Sequence, residues 1–470
     1  MRRSRVLGVS VLVVMAVVGA YVTADAYDVV PGLVTLAPAP APARPFPTAP
    51  GAVAPAPVAA PLAALPAAAP VPSDARLGAL AQALAADPRT GGSVGVLVAD
   101  QLTGAVEAAI EPDVARTAAS TTKLLTATAA LGRLDHARTL ETRVVRESAD
   151  QIVLVGGGDM MLAAGAGRPD AVNGRAGLGD LAQQVARALT LAGTTTVRLA
   201  YDDHLFTGNA VNPGWASSDV TNGYVAPVTG LAVDIGRTRD AEDAPRSTTP
   251  SLDAARTLAK ELEADGITVT GTPARVVATS GATTLGTVRS ASIAEIVDYV
   301  LHESDNTITE VLGRLVALDE GLPASFGGAA AAVLEALRED GLDITGTHLD
   351  GASGLSHGTH VAPALLVATL RLVTDPSHPR LRGVAVDLPI SGLSGTLADR
   401  FTTSSARGFV RAKTGSLTSV TSLAGTVQDA DGRLLVFAVI ADHVPVTGED
   451  AARQAVDEFV TQLTGCGCRD

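Results

Sequence analysis

Ala118-Ala119-Ser120-Thr121-Thr122-Lys123-Leu124-Leu125-Thr126 sets a hydroxyl three residues ahead of a lysine, at the start of a strongly helical run. Positions i and i+3 of an α-helix share a face, so Ser120 and Lys123 are expected to point into the same space. Ser120 is also expected at the helix N-terminus, where unpaired N–H groups and the dipole favour negative charge. A lysine held in a poorly solvated cleft can lose its proton and act as a base. Taken alone the Ser-x-x-Lys spacing is common, and the plainer role for Ser120 is a helix N-cap.

Composition sharpens the reading. Among the 35 Lys and Arg residues, lysine occurs only at Lys123, Lys260 and Lys413. Arginine stays charged at ordinary pH and cannot serve as a base, so retained lysines are worth testing for chemistry. Lys260 stands beside Glu261 and Glu263 on a polar helix face and reads as solvated. At 470 residues the chain has room for two or three domains. The net charge of −14 argues against nucleic acid as a partner. Cys466 and Cys468, the only cysteines, could form a strained mutual disulfide or belong to a metal site that lacks nearby companion ligands. Asp159, Asp202 and Asp203 read as turn and capping residues. Neither metal nor cofactor is expected.

Upstream of the motif, Arg2, Arg3 and Arg5 precede the apolar run from Val6 to Val22, followed by Thr23-Ala24-Asp25-Ala26. Residues 1–26 thus read as an export signal, or as an uncleaved membrane anchor, since about 17 apolar residues lie at the lower limit of a span. Both place the remainder outside the cytoplasm, at the cell wall or the outer face of the cytoplasmic membrane. Residues 27–73, with Ala37-Pro38-Ala39-Pro40 and Ala54-Pro55-Ala56-Pro57, read as an extended linker.

Folded structure is expected from residue 74. Residues 74–141 hold a helix, the strand Ser93 to Asp100, a return strand Ala105 to Ile110 and the helix carrying Ser120, with Leu124, Ala127 and Leu131 as its inner face. Residues 142–284 change style and read as an inserted α/β accessory domain. A helix–glycine–strand pattern runs through Gly193, Gly266 and Gly341, with each glycine as a left-handed cap. Residues 285–470 open with Ile293, Ile296, Val297, Val300 and Leu301 at helical spacing and close with strands and a final helix. Helices flanking an antiparallel sheet, interrupted by an insertion, make an α+β fold.

Two further motifs complete the set: Ser304-Asp305-Asn306 and Lys413-Thr414-Gly415. Ser-x-x-Lys, Ser-Asp-Asn and Lys-Thr-Gly in this order occur in class A β-lactamases and penicillin-binding proteins. Each supplies a part of acyl transfer. Ser120 would attack a carbonyl while Lys123 takes its proton. Ser304 would relay a proton to the leaving amine, and Asn306 would hold the substrate amide and orient Lys123. Lys413, opening onto the cleft, would supply positive charge for a substrate carboxylate. Asp305, Thr414, Gly415 and Ser416 would contact substrate, Gly415 by letting its backbone come close. The backbone N–H groups of Ser120 and Ser416 would form the oxyanion hole. His302 beside the second motif reads as a helix-end residue.

The gap from Ser120 to Ser304 is longer than a compact class A β-lactamase needs, and no Glu-x-x-Leu-Asn loop stands out to position a deacylating water. The chain resembles the D-alanyl-D-alanine carboxypeptidase/endopeptidase family, the class C low-molecular-mass penicillin-binding proteins, in which an insertion follows the serine helix. Gly156-Gly157-Gly158-Asp159, Trp215, Tyr224-Val225-Ala226-Pro227-Val228, Asp350-Gly351-Ala352-Ser353-Gly354-Leu355-Ser356 and Gly395-Thr396-Leu397 resemble its other landmarks. His357 and Thr359 stand where members often carry arginine and asparagine, and Met160 where proline is usual. The resemblance implies a penicillin-binding/serine β-lactamase-like transpeptidase fold, peptidoglycan stem peptides as substrates and β-lactam antibiotics as inhibitors. A β-lactamase or esterase of this fold, or an inactive cell-wall-binding protein, is the alternative.

Overall fold

The computed structural model describes residues 2–34, 36, 68–241 and 244–465, with side chains of the first helix described from residue 14. Cys466, Cys468 and most of the Ala/Pro-rich stretch lie outside the described residues. The chain divides into the units Met1–Ala63 and Ala64–Asp470. In the first, Arg2–Ala26 is one α-helix. The Asp25 carboxylate then accepts the Leu33 and Val34 N–H groups, each at 3.1 Å. Among the described residues no helix is long and apolar enough to cross a membrane.

The second unit is built on a five-stranded sheet. Its spatial order is Val410–Leu417, Val420–Gln428, Leu434–Ala441, Val94–Asp100 and Val106–Ile110, antiparallel throughout. Leu434–Ala441 shows why a near-continuous apolar run is needed in its middle. Successive side chains alternate faces, and both faces are covered. Val436, Ala438 and Ile440 enter the core shared with helix Lys123–Arg133. Leu435, Phe437, Val439 and Ala441 enter the core beneath helices Asp74–Ala85 and Glu449–Gly465.

Helix Lys123–Arg133 departs from the amphipathic expectation: every residue from Lys123 to Leu131 is buried. It runs through the middle of a helical layer formed with Ile293–Glu303, Asn306–Asp319, Phe326–Glu339 and Pro363–Thr374. Small residues at Ala127, Ala129 and Ala130 let those neighbours close in from every side.

A second sheet, ordered Thr283–Ser292, Thr139–Arg146, Gln151–Val155, Thr196–Asp202 and Thr268–Arg275, carries helices Leu178–Leu191 and Pro250–Ala264 over its own apolar core. Its first two pairings are antiparallel and its last two parallel. Strands Thr139–Arg146 and Thr283–Ser292 lie side by side and straddle the expected boundaries at 141/142 and 284/285. The glycine caps adopt left-handed φ at Gly193, Gly266 and Gly341 (69°, 86° and 84°). After Gly341, however, the chain runs into turns with no strand in residues 342–345, so the third repeat ends at its cap.

Candidate active site

Ser120 does not begin the α-helix. It sits in a single 3₁₀ turn, Ala119–Thr122, that feeds into helix Lys123–Arg133. Ala119 just before it holds φ at 50°, a left-handed conformation that costs an L-residue with a Cβ about 1–2 kcal/mol. The surroundings fix the turn: Ser422 Oγ and Thr121 Oγ1 both donate to the Ala118 carbonyl at 2.7 Å. Neither the turn nor the helix has a side-chain N-cap, which removes the plainer role for Ser120.

Lys123 is fully buried, and its Nζ lies 2.8 Å from Ser120 Oγ, 2.6 Å from Asn306 Oδ1 and 2.9 Å from the Ser353 carbonyl oxygen. Burial lowers its pKa to about 7, against the opposing pull of the Asp305 and Glu310 carboxylates. A neutral amine has two hydrogens and one lone pair. Asn306 Oδ1 and the Ser353 carbonyl can only accept, so they take the two hydrogens, and the lone pair is left facing the Ser120 hydroxyl. That is the arrangement of a general base aimed at a nucleophile.

Asn306 Nδ2 donates to the Tyr224 carbonyl at 2.9 Å, tying the 219–226 loop to this centre. Ser304 closes helix Ile293–Glu303 with φ 59° and makes no side-chain hydrogen bond to Ser120 or Lys123 among the described residues. Asp305 has a structural duty at this point of the chain. Its carboxylate accepts the Ile308 N–H at 2.8 Å as the N-cap of helix Asn306–Asp319.

Lys413 corrects a second expectation. It is completely buried in strand Val410–Leu417 rather than opening onto the cleft, and Nζ donates to the Thr414 carbonyl at 3.1 Å. Burial, then the nearby charges of Lys123 and Arg400, push its pKa well below the usual lysine range. Thr414 Oγ1 donates to Thr396 Oγ1 at 2.9 Å. A Cβ on Gly415 would collide with Ser422 Oγ and lie 2.8 Å from the Ala118 oxygen and 3.1 Å from the Ser120 nitrogen. The glycine therefore admits the serine turn itself against the strand.

Ser120, Asn306 and Ser416 line a cleft of about 480 Å³ with Tyr224, Asp219, His357, Leu355, Thr418, Glu449 and Arg453. A larger groove of about 620 Å³, lined by residues including Phe409 and Leu434, contains none of the motif residues. Thr359 is buried, and its hydroxyl accepts the Asp350 N–H at 3.2 Å, a loop-holding role. Met160 is buried in the main core.

The sequence reading missed Glu310, the Ser353 carbonyl and Ser422. Glu310 had a signal: it lies four residues after Asn306, hence on its face, in a helix otherwise apolar around Ile308, Val311, Leu312 and Leu315.

The same fold occurs in penicillin binding protein 4 (dacB) from Haemophilus influenzae, with a TM-score of 0.66 at 20% identity over 79% of this chain and 95% of that one. Fold and chemistry together define a serine hydrolase with the penicillin-binding architecture. Residues 77–245 and 238–463 match the D-Ala-D-Ala carboxypeptidase 3 (S13) family, and the chain belongs to it. It is 38% identical over 411 residues to carboxypeptidase Rv3627c of Mycobacterium tuberculosis, covering 85% of this chain and 86% of that one. It is 37% identical over 358 residues to carboxypeptidase DacB of Mycolicibacterium smegmatis, covering 74% and 75%.

Proposed function

We propose that this chain is an extracytoplasmic serine D-Ala-D-Ala carboxypeptidase and/or endopeptidase that acts on peptidoglycan stem peptides through an acyl-Ser120 intermediate. The observation that carries this is Lys123 Nζ, buried and 2.8 Å from Ser120 Oγ, with its other two directions taken by carbonyl oxygens. Lys123 takes the Ser120 proton as Oγ attacks the penultimate D-alanine carbonyl carbon. The C–N bond to the terminal residue then breaks, and the proton passes through the Ser304 hydroxyl to the departing amine. Water, deprotonated by Lys123, cleaves the ester and restores Ser120. The Ser120 and Ser416 N–H groups hold the developing oxyanion, and Asn306 and Thr414 with Ser416 hold the substrate amide and carboxylate.

An anionic substrate terminus nearby favours the charged form of Lys413, opposing the effect of its burial. A β-lactam acylates Ser120 by the same attack, but its leaving nitrogen stays tethered to the acyl group and obstructs the water, so hydrolysis is slow. Residues 1–26 serve as an export signal or membrane anchor, and 27–73 as the linker beyond it. Residues 142–284 serve as an accessory domain between the catalytic segments 74–141 and 285–470, with the two strands of the second sheet that straddle those bounds as the join.

The test is release of D-alanine from a diacetyl-lysyl-D-alanyl-D-alanine peptide. Wild type is expected to release it and Ser120→Ala not to. Equal release by both proteins defeats the reading.

A further inference from the structure

Glu310 is completely buried, and its carboxylate is used on one short stretch of backbone. Oε2 accepts the Ala352 N–H at 2.9 Å, while Oε1 accepts the Ser353 N–H at 2.9 Å and the Ser353 hydroxyl at 2.5 Å. Ser353 is the residue whose carbonyl receives Lys123 Nζ. Next to it, Gly354 holds φ at 77° so close to the serine turn that a Cβ would collide with the Ala119 oxygen and lie 2.7 Å from Thr122 Oγ1. Three charge-assisted hydrogen bonds thus clamp a loop pressed against the candidate nucleophile.

A buried carboxylate without compensating charge would be costly. The nearby cations are Lys123, on which Glu310 acts directly, and Arg314 one turn further along the same helix. Arg314 is occupied elsewhere. It donates to the carbonyls of Thr207, Asn209 and Ala324 and lies over the Phe326 ring at 4.4 Å. The clamp needs two acceptor oxygens, which a glutamine lacks because its amide NH2 would face a backbone N–H. A carboxylate supplies both oxygens and brings its charge within one residue's backbone of the amine.

We propose that Glu310 is a positioning residue for the Ser120–Lys123 pair: its carboxylate grips Ala352 and Ser353, holds the Ser353 carbonyl against Lys123 Nζ, and so fixes which direction the Lys123 lone pair faces. This rests on the reading of Ser120 as nucleophile and Lys123 as base. The charged groups acting on Lys123 are Asp305 and Glu310 from helix Asn306–Asp319 and Lys413 from strand Val410–Leu417; Ser120, Asn306 and Ser353 meet it as neutral partners. Losing the Glu310 charge therefore disfavours the Lys123 ammonium and lowers the pH at which the free base appears.

The experiment is the rate of acylation by a fluorescent penicillin across pH, on the full chain, for wild type, Glu310→Gln, Glu310→Asp and Ser120→Ala. Glu310→Gln is expected to lose about tenfold to hundredfold in rate, a fraction of what general-base catalysis supplies, and to shift its acid limb to lower pH. Glu310→Asp keeps the charge one methylene short, so it loses rate with the limb unmoved. A Glu310→Gln rate within about twofold of wild type, or a lowered rate with an unmoved limb, assigns Glu310 to loop folding alone and overturns the proposal. If Glu310→Gln does not fold, Ser353→Ala decides: removing that one clamp bond is expected to slow acylation about threefold to tenfold, and an unchanged rate overturns the proposal. Label retained by Ser120→Ala defeats the underlying reading of the nucleophile, and the proposal with it.

Discussion

Replacing Lys123 with methionine keeps the length and apolar stem of the side chain and deletes the amine. In the folded protein burial lowers the lysine pKa from 10.5 to about 7. The unfolded chain therefore binds more protons than the folded one between those values, and folding stability from this group rises with pH across that window. Below pH 7 the full difference of three to four pKa units opposes folding, about 4–5 kcal/mol. Methionine escapes that term but strips a donor from Asn306 Oδ1 and from the Ser353 carbonyl, at about 1–3 kcal/mol each and independent of pH. The absolute change is thus a near-cancellation, while its pH dependence is not. Between about pH 7 and pH 9, the stability of Lys123→Met relative to wild type should fall by about 2–3 kcal/mol. Lys413 is also depressed, in part by the Lys123 charge, so its contribution is common to both proteins only toward the upper end of this range, where Lys123 is uncharged. Urea unfolding of the two proteins at both pH values measures the double difference. A difference that stays flat means Lys123 remains an ammonium in the fold, which refutes its assignment as the base.

Substitutions at three other positions probe separate parts of the site. Gly415→Ala forces strand and serine turn apart, so acylation by penicillin should fall about a hundredfold, the scale of a 1 Å misplacement, with about 1–3 kcal/mol of overpacking read by thermal melting. Asn306→Ala releases one Lys123 hydrogen and the Tyr224 carbonyl together, and should slow D-alanine release about tenfold to a hundredfold in single-turnover assays. Asp305→Ala removes a helix cap at about 1 kcal/mol by urea titration, and Asp305→Ser, which can still cap, should restore most of it.

The three motifs were legible because each is local and its residue types are chemically rare in this chain. Lysine at only three positions made Lys123 and Lys413 stand out, and the structure brings Ser120, Lys123 and Asn306 within hydrogen-bond reach. The helix periodicity from Ile293 to Leu301 gave Ile293–Glu303, ended by Ser304 in a left-handed conformation. What escaped was set by packing across long separations. The burial of Lys413 follows from its place on a strand covered by neighbouring elements. The need for Gly415 follows from the Ala118 carbonyl in the serine turn and from Ser422, its partner on the neighbouring strand. Glu310 escaped because its partners, Ala352 and Ser353, are about forty residues away and two of the three bonds use backbone N–H groups, which carry no residue signature.

The central claim is that Ser120 is the acylated nucleophile. Intact-mass spectrometry after incubation with benzylpenicillin tests it most directly, on wild type beside Ser120→Ala. The account predicts wild type heavier by one drug molecule, the adduct mapping to the Ser120 peptide and decaying slowly, with Ser120→Ala unmodified. An equal adduct on both proteins, or none on wild type while the drug stays intact, would contradict it.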